Sequence, residues 1–78
     1  MFEKLKYKYN LAFALADAEI ATKYLLRENY KKCEYYTNKA KRKFENATKL
    51  ADKVEENKII LSELRKVINK LEEKIIGL

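Results

Sequence analysis

Apolar residues recur along this chain at three-then-four spacing, and the cleanest run lies in its middle. Tyr30, Cys33, Thr37, Ala40, Phe44, Ala47, Ala51 and Val54 form one unbroken seam. That spacing holds one stripe of a helix against a neighbouring helix. Lys31, Lys32, Lys39, Arg42, Lys49 and Lys53 fall on the opposite side. The pattern predicts a helix from Tyr30 to Val54, apolar on one face and basic on the other.

A first periodic segment runs from about Phe2 to Glu28 and carries two apolar stripes. One is Phe2, Leu5, Tyr9, Phe13, Ala16, Ile20 and Tyr24; the other is Leu11, Leu15, Ala18, Thr22 and Leu25. Two stripes predict a helix that touches two neighbours. All six residues from Leu11 to Ala16 are apolar, so the middle of this helix is expected to be buried nearly all round. Its alanines favour helix and permit close helix contact. The segment is expected to stop at Arg27 to Asn29, with Asn29 taking the left-handed conformation that ends many helices. So short a link makes the two helices antiparallel.

After Val54 the seam loses phase at Glu55-Glu56-Asn57-Lys58. A new seam then begins: Leu61, Leu64, Ile68, Leu71, Ile75 and Leu78. A turn at Asn57 gives a third helix from about Lys58 to Ile76. Leu64, Ile68 and Leu71 would then meet small residues such as Ala40 and Ala47. The expected fold is all-α, an antiparallel three-helix bundle in one domain, with helices at about 2–28, 30–54 and 58–76. The alternative is a helical hairpin whose second helix continues unbroken to Ile76 and is completed by dimerisation.

Composition agrees with helices. The chain has 78 residues, no proline, and one glycine at Gly77, so little in it punctuates strands or hairpins. A domain this small buries only about 60% of its unfolded surface, and its core must be dense or completed by a partner. Cys33 is the lone cysteine, which fits a reducing compartment. No apolar run approaches bilayer length, so no membrane insertion is expected, and the expected location is the cytoplasm. Histidine and glutamine are absent while lysine and glutamate abound, a balance that fits a thermophile.

The same absences bear on chemistry. Without histidine, and with one cysteine, zinc sites of the usual His/Cys kind and di-iron Glu-x-x-His sites are excluded. Gly-rich phosphate loops are excluded by the single terminal glycine. We therefore expect no catalytic residues, no metal and no cofactor, and a protein that is not an enzyme. Cys33 lies on the apolar stripe and reads as a small core residue. Asp17, beside the most apolar stretch, reads as an edge residue paired with Lys23 or with a lysine of the next helix.

Charge is distributed unevenly. Met1 to Asn29 holds five basic and four acidic residues, Tyr30 to Val54 eight and three, and Glu55 to Leu78 five of each. Nearly all of the net charge of +6 thus belongs to the second helix. Lys31, Lys32, Lys39, Arg42 and Lys49, with Tyr35 among them, are the residues expected to meet a phosphate backbone if the chain binds nucleic acid.

The stretch Ala21 to Ala40 reads ATKYLLRENYKKCEYYTNKA. It resembles the helical hairpin of tetratricopeptide repeats and of the microtubule-interacting-and-transport (MIT) domain. In both, small residues let antiparallel helices approach and a tyrosine closes the turn. Ala21, Asn29, Tyr30, Cys33, Tyr36 and Ala40 stand in the corresponding places. Cys33 replaces the usual alanine, Tyr36 is one position short of the repeat's aromatic, and no second repeat follows. A hairpin plus a third helix is the MIT layout. The resemblance implies a groove between the second and third helices that takes a short helical peptide. By that layout the partner-binding residues are Leu50, Ile60 and Val67, rimmed by Lys43 and Lys53. The expected function is a non-enzymatic helical module that binds a protein partner or itself; a small basic nucleic-acid-binding protein is the alternative.

Overall fold

Three helices follow one another in the computed structural model, which describes residues 2–54 and 58–77: α1 over Phe2–Leu26, α2 over Tyr30–Val54 and α3 over Ile59–Ile76. At 1.5 Å per residue, α1 and α2 are each about 37 Å long. They lie antiparallel as a long hairpin, and α3 folds back along α2. The result is a rod of 41 × 17 × 14 Å. The all-α three-helix bundle is thus the fold. The unbroken second helix is not, because α2 ends at Val54 and α3 returns beside it. The expected stop at Asn57 lies outside the described residues.

The first turn closes differently from expectation. Glu28, not Asn29, takes the left-handed conformation, with φ of 58°. The Asn29 amide donates to the Tyr24 carbonyl at 2.9 Å, and the Glu28 amide to the Leu25 carbonyl at 3.0 Å. Together these form the paired bonds of a Schellman ending. Asn29 is thereby free to start α2. Its side-chain Oδ1 accepts from the Lys32 amide at 3.3 Å, the bond made by an N-cap. Asparagine suits either role, and capping the next helix prevailed.

Along α2 the seam holds from Cys33 to Ala51: Cys33, Thr37, Ala40, Phe44, Ala47 and Ala51 are buried and Val54 packs partly against them, but Tyr30 in the first turn is exposed. α3 likewise buries Leu61, Leu64, Ile68 and Leu71, and Ile75 packs partly against them. Leu78 lies outside the described residues. Arg65 sits over the Phe44 ring, 5.4 Å from its centroid, and Lys41 donates to Glu72 at 3.0 Å. Lys58, just ahead of α3, is ion-paired with Asp52 in the last turn of α2.

α1 keeps Leu11, Ala18 and Leu25 of the second predicted stripe in the core but leaves Leu15 and Thr22 exposed, and it turns most of the first stripe outward. Its buried residues are Tyr7, Ala14, Asp17, Ala18 and Ala21, with Leu11 and Leu25 packed against them. Tyr7, Leu11, Ala14, Ala18, Ala21 and Leu25 are themselves a four-three heptad run, which is the seam α2 selects. α2 presents mostly small residues, so the helices come close only where α1 is small as well. The middle of α1 is not buried all round. Ala12, Phe13, Leu15 and Ala16 are exposed, because two neighbouring helices cannot surround a third.

Two stability outcomes follow. Truncating Leu64 or Leu71 to alanine lowers unfolding free energy by about 2–5 kcal/mol in a denaturant titration. Replacing Glu28 by glycine relieves the left-handed backbone and raises stability by about 1 kcal/mol in the same titration.

Candidate protein-interaction surfaces

Among the described residues, two extended stretches of apolar surface stay uncovered when the bundle closes. The first is a groove of about 420 Å³ between α1 and α3. Leu15, Ala18 and Thr22 line it from α1, and Ile59, Ile60, Leu64 and Val67 from α3. It forms because α1 offers small side chains on this flank while the branched residues of α3 stand away from it. Thr22 donates its hydroxyl to the Ala18 carbonyl at 2.9 Å, which satisfies the one hydroxyl in the lining. The charged lining residues are Glu19 and Glu63, each beside a lysine of its own helix: Lys23 at 3.9 Å and Lys66 at 3.5 Å.

The second is the face of α1 turned away from α2. Phe2, Leu5, Tyr9 and Phe13 are exposed there, with Ala12 and Ala16 between the larger side chains and Ile20 half-buried at the far end. Apart from Ala12, these residues belong to the first of the two stripes seen in the sequence, whose last member, Tyr24, packs instead against Tyr36. Tyr9 and Phe13 lie ring to ring at 4.5 Å.

One edge of α2 runs beside that face, and its lysines are held on aromatic rings. Lys43 Nζ lies 5.1 Å from the Tyr9 centroid and 5.8 Å from that of Phe13. Lys39 lies 5.4 and 5.3 Å from Tyr35 and Tyr36, and Lys32 lies 5.3 Å from Tyr24. Such cation–ring contacts are worth about 0.5–1 kcal/mol each at exposed sites. Tyr24 and Tyr36 stack across the hairpin at 5.7 Å, and Asn46 donates to Asn10 at 3.4 Å farther along.

Asp17 is the one buried carboxylate of this edge, at 5% exposure. Its Oδ1 is 4.0 Å from Lys39 Nζ, and its Oδ2 has no hydrogen-bond partner among the described residues. The partner is a lysine of the next helix, one of the two expected; Lys23 instead turns to Glu19. Cys33 is fully buried with its Sγ 3.9 Å from the Thr37 hydroxyl, the place of a small core residue. Elsewhere, the hydrogen bond and charge of Glu72 hold the Lys41 ammonium above its ordinary pKa. The Lys58 ammonium holds Asp52 below the usual carboxylate value.

The five residues expected to bind a partner do not gather in one groove. Ile60 and Val67 line the groove between α1 and α3. Leu50 is half-buried against the core, Lys53 is exposed in the last turn of α2, and Lys43 lies over Tyr9 and Phe13. The expected α2–α3 groove is therefore not built from them. Leu15, Thr22 and Ile59 take part instead, and only Leu15 and Thr22 had a place in a predicted stripe. The nucleic-acid set keeps together better. Lys31, Lys32, Tyr35, Arg42 and Lys49 are exposed and Lys39 is half-buried along the outer side of α2.

Among the described residues no three of His, Cys, Asp and Glu come together as a metal site would require. No described helix is long and apolar enough to cross a membrane. Compared with known protein families, curated proteins and solved structures, the chain finds no match.

The Asp17–Lys39 pair yields a test. Replacing Lys39 by methionine keeps its packing but strips the buried carboxylate of its counter-charge. Unfolding free energy should fall by about 1–3 kcal/mol. In a double-mutant cycle with Asp17→Asn the second change should recover most of that loss. Additive losses would show that the two side chains do not interact.

Proposed function

We propose that this chain is a non-enzymatic helical module that binds a protein partner. The observation supporting this reading is the α1–α3 groove, whose lining is almost wholly aliphatic. A monomer has no structural use for Ile59, Ile60 and Val67 standing exposed beside Leu15, whereas a partner helix can bury them. This reading seats the peptide between the first and third helices, whereas the resemblance to MIT-type peptide binders implies the second and third. The lack of histidine and of Gly-rich loops supports a role without catalysis.

The test is capture from extract of the native host, before and after nuclease treatment, with wild-type chain and with the Ile60→Glu/Val67→Glu variant. Both positions are exposed, so the fold should survive, as circular dichroism would check. A defined protein held by wild type, insensitive to nuclease and lost from the variant, is the expected result. Equal capture by both chains would remove the groove from the function.

A second reading rests on the outer side of α2, where Tyr35 stands exposed among Lys31, Lys32, Arg42 and Lys49. Such a row suits single-stranded nucleic acid, the lysines on phosphates and the tyrosine on a base. Gel shifts at low and high salt decide it. A salt-sensitive complex weakened by Tyr35→Ala supports it, and no complex at low salt ends it.

A further inference from the structure

We propose that the outer face of α1, together with the basic edge of α2 beside it, is a docking surface for an acidic amphipathic helix. This rests on the interaction-module reading but on a different surface from the α1–α3 groove, so the two can fail separately.

Phe2, Leu5, Tyr9 and Phe13 are 75%, 66%, 54% and 46% exposed. At about 200 Å² for a large side chain, they present roughly 500 Å² of uncovered apolar surface. That is near the most that a monomer ordinarily leaves open, on the order of 300–600 Å². The residues recur every three or four positions, and from Phe2 to Ile20 the stripe is about 27 Å long. Ala12 and Ala16 are small, exposed positions among the larger side chains. A stripe of large and small side chains at helical spacing matches the knobs of another helix, and a flat bilayer surface does not use such spacing.

Charge identifies the occupant. Lys43 borders the stripe from α2, anchored on the rings of Tyr9 and Phe13, while Lys39 farther along already faces the buried Asp17 carboxylate. Among the described residues Lys43 has no carboxylate within ion-pair distance, and neither has Lys6 one turn before Asn10. A second copy of the chain fits poorly. An antiparallel two-fold pairing through α1 sets one basic α2 edge beside the other. A helix with glutamates or aspartates on its flanks meets the lysines with opposite charge and fills the stripe with its apolar seam.

The probe is a synthetic amphipathic helix with leucines in a heptad pattern and glutamates on its flanks. Its counterpart has lysines in place of the glutamates. Binding is read by fluorescence anisotropy on the full chain at low and high salt. The glutamate peptide should bind at least about tenfold more tightly than the lysine peptide. It should lose about tenfold on Phe13→Glu and on Leu5→Glu, and a smaller factor on Lys43→Glu. Ile60→Glu, in the groove, should leave it unchanged. Both apolar variants alter exposed positions, and circular dichroism confirms that they fold. Equal binding of the two peptides overturns the proposal, and so does indifference to both Phe13→Glu and Leu5→Glu. A wild-type dimer in sedimentation that Phe13→Glu dissociates would assign the face to a second copy instead. Binding of anionic vesicles or single-stranded DNA that Phe13→Glu abolishes, with no peptide binding, would equally overturn it.

Discussion

The close approach of α1 and α2 governs this molecule. Two helices can lie near each other along about 37 Å only if the residues between them are small. α2 brings Cys33, Thr37, Ala40, Ala47 and Ala51 to that contact, and α1 answers with Ala14, Ala18 and Ala21. A contact lined in this way has no room for Phe2, Leu5, Tyr9 and Phe13. The outward turn of those residues is therefore a consequence of how the hairpin closes. The same constraint carries Asp17 inward, since it precedes Ala18 on the face that α2 covers, and Lys39 then supplies the opposite charge.

α3 meets the hairpin by another route. Its buried residues are large aliphatics, and they pack chiefly against α2, around Phe44, with less of the helix reaching α1. Each such side chain contributes about 1.5–3 kcal/mol before conformational entropy is subtracted. Lys41–Glu72 and Asp52–Lys58 tie α3 to α2 by charge, but both are at the surface and contribute little. The attachment is one-sided, and that is why a groove stays open between α3 and α1. A helix held on one flank by large residues stands off the other flank, where small ones such as Ala18 and Thr22 cannot fill the gap.

Much of this was legible in the residue pattern, for physical reasons that also explain the misses. α2 and α3 each carry one apolar stripe, and a helix with one stripe has one way to pack. The buried positions of both were read from spacing alone. α1 carries apolar residues nearly all round, so periodicity offered several seams and could not rank them. Side-chain size ranked them, once the smallness of the α2 seam was set against it. The turn was misread by one residue because asparagine serves both to end a helix and to start one. Its side chain bonds the Lys32 amide, which left Glu28 to take the unfavourable backbone. The partner residues scattered because their grouping assumed a groove between α2 and α3. The opening of the groove on the α1 side depends on packing volumes between helices, which a linear pattern does not contain.

The lysines gain a meaning that composition does not give them. A surface lysine normally samples many rotamers, and ordering one costs up to about 1.5–2 kcal/mol. Lys32, Lys39 and Lys43 already lie over rings at 5.1 to 5.3 Å from their nearest centroids, so part of that cost is met within the folded chain. Pre-ordered cations beside an uncovered apolar stripe differ physically from a coat of mobile charge. Mobile lysines keep a surface hydrated and deter contact. Lys43, fixed beside Tyr9 and Phe13, holds its charge at one border of an apolar strip, which is the arrangement that distinguishes an acidic helix from a neutral or a basic one. The rings serve both functions, since their faces hold the lysines while their exposed edges extend the strip.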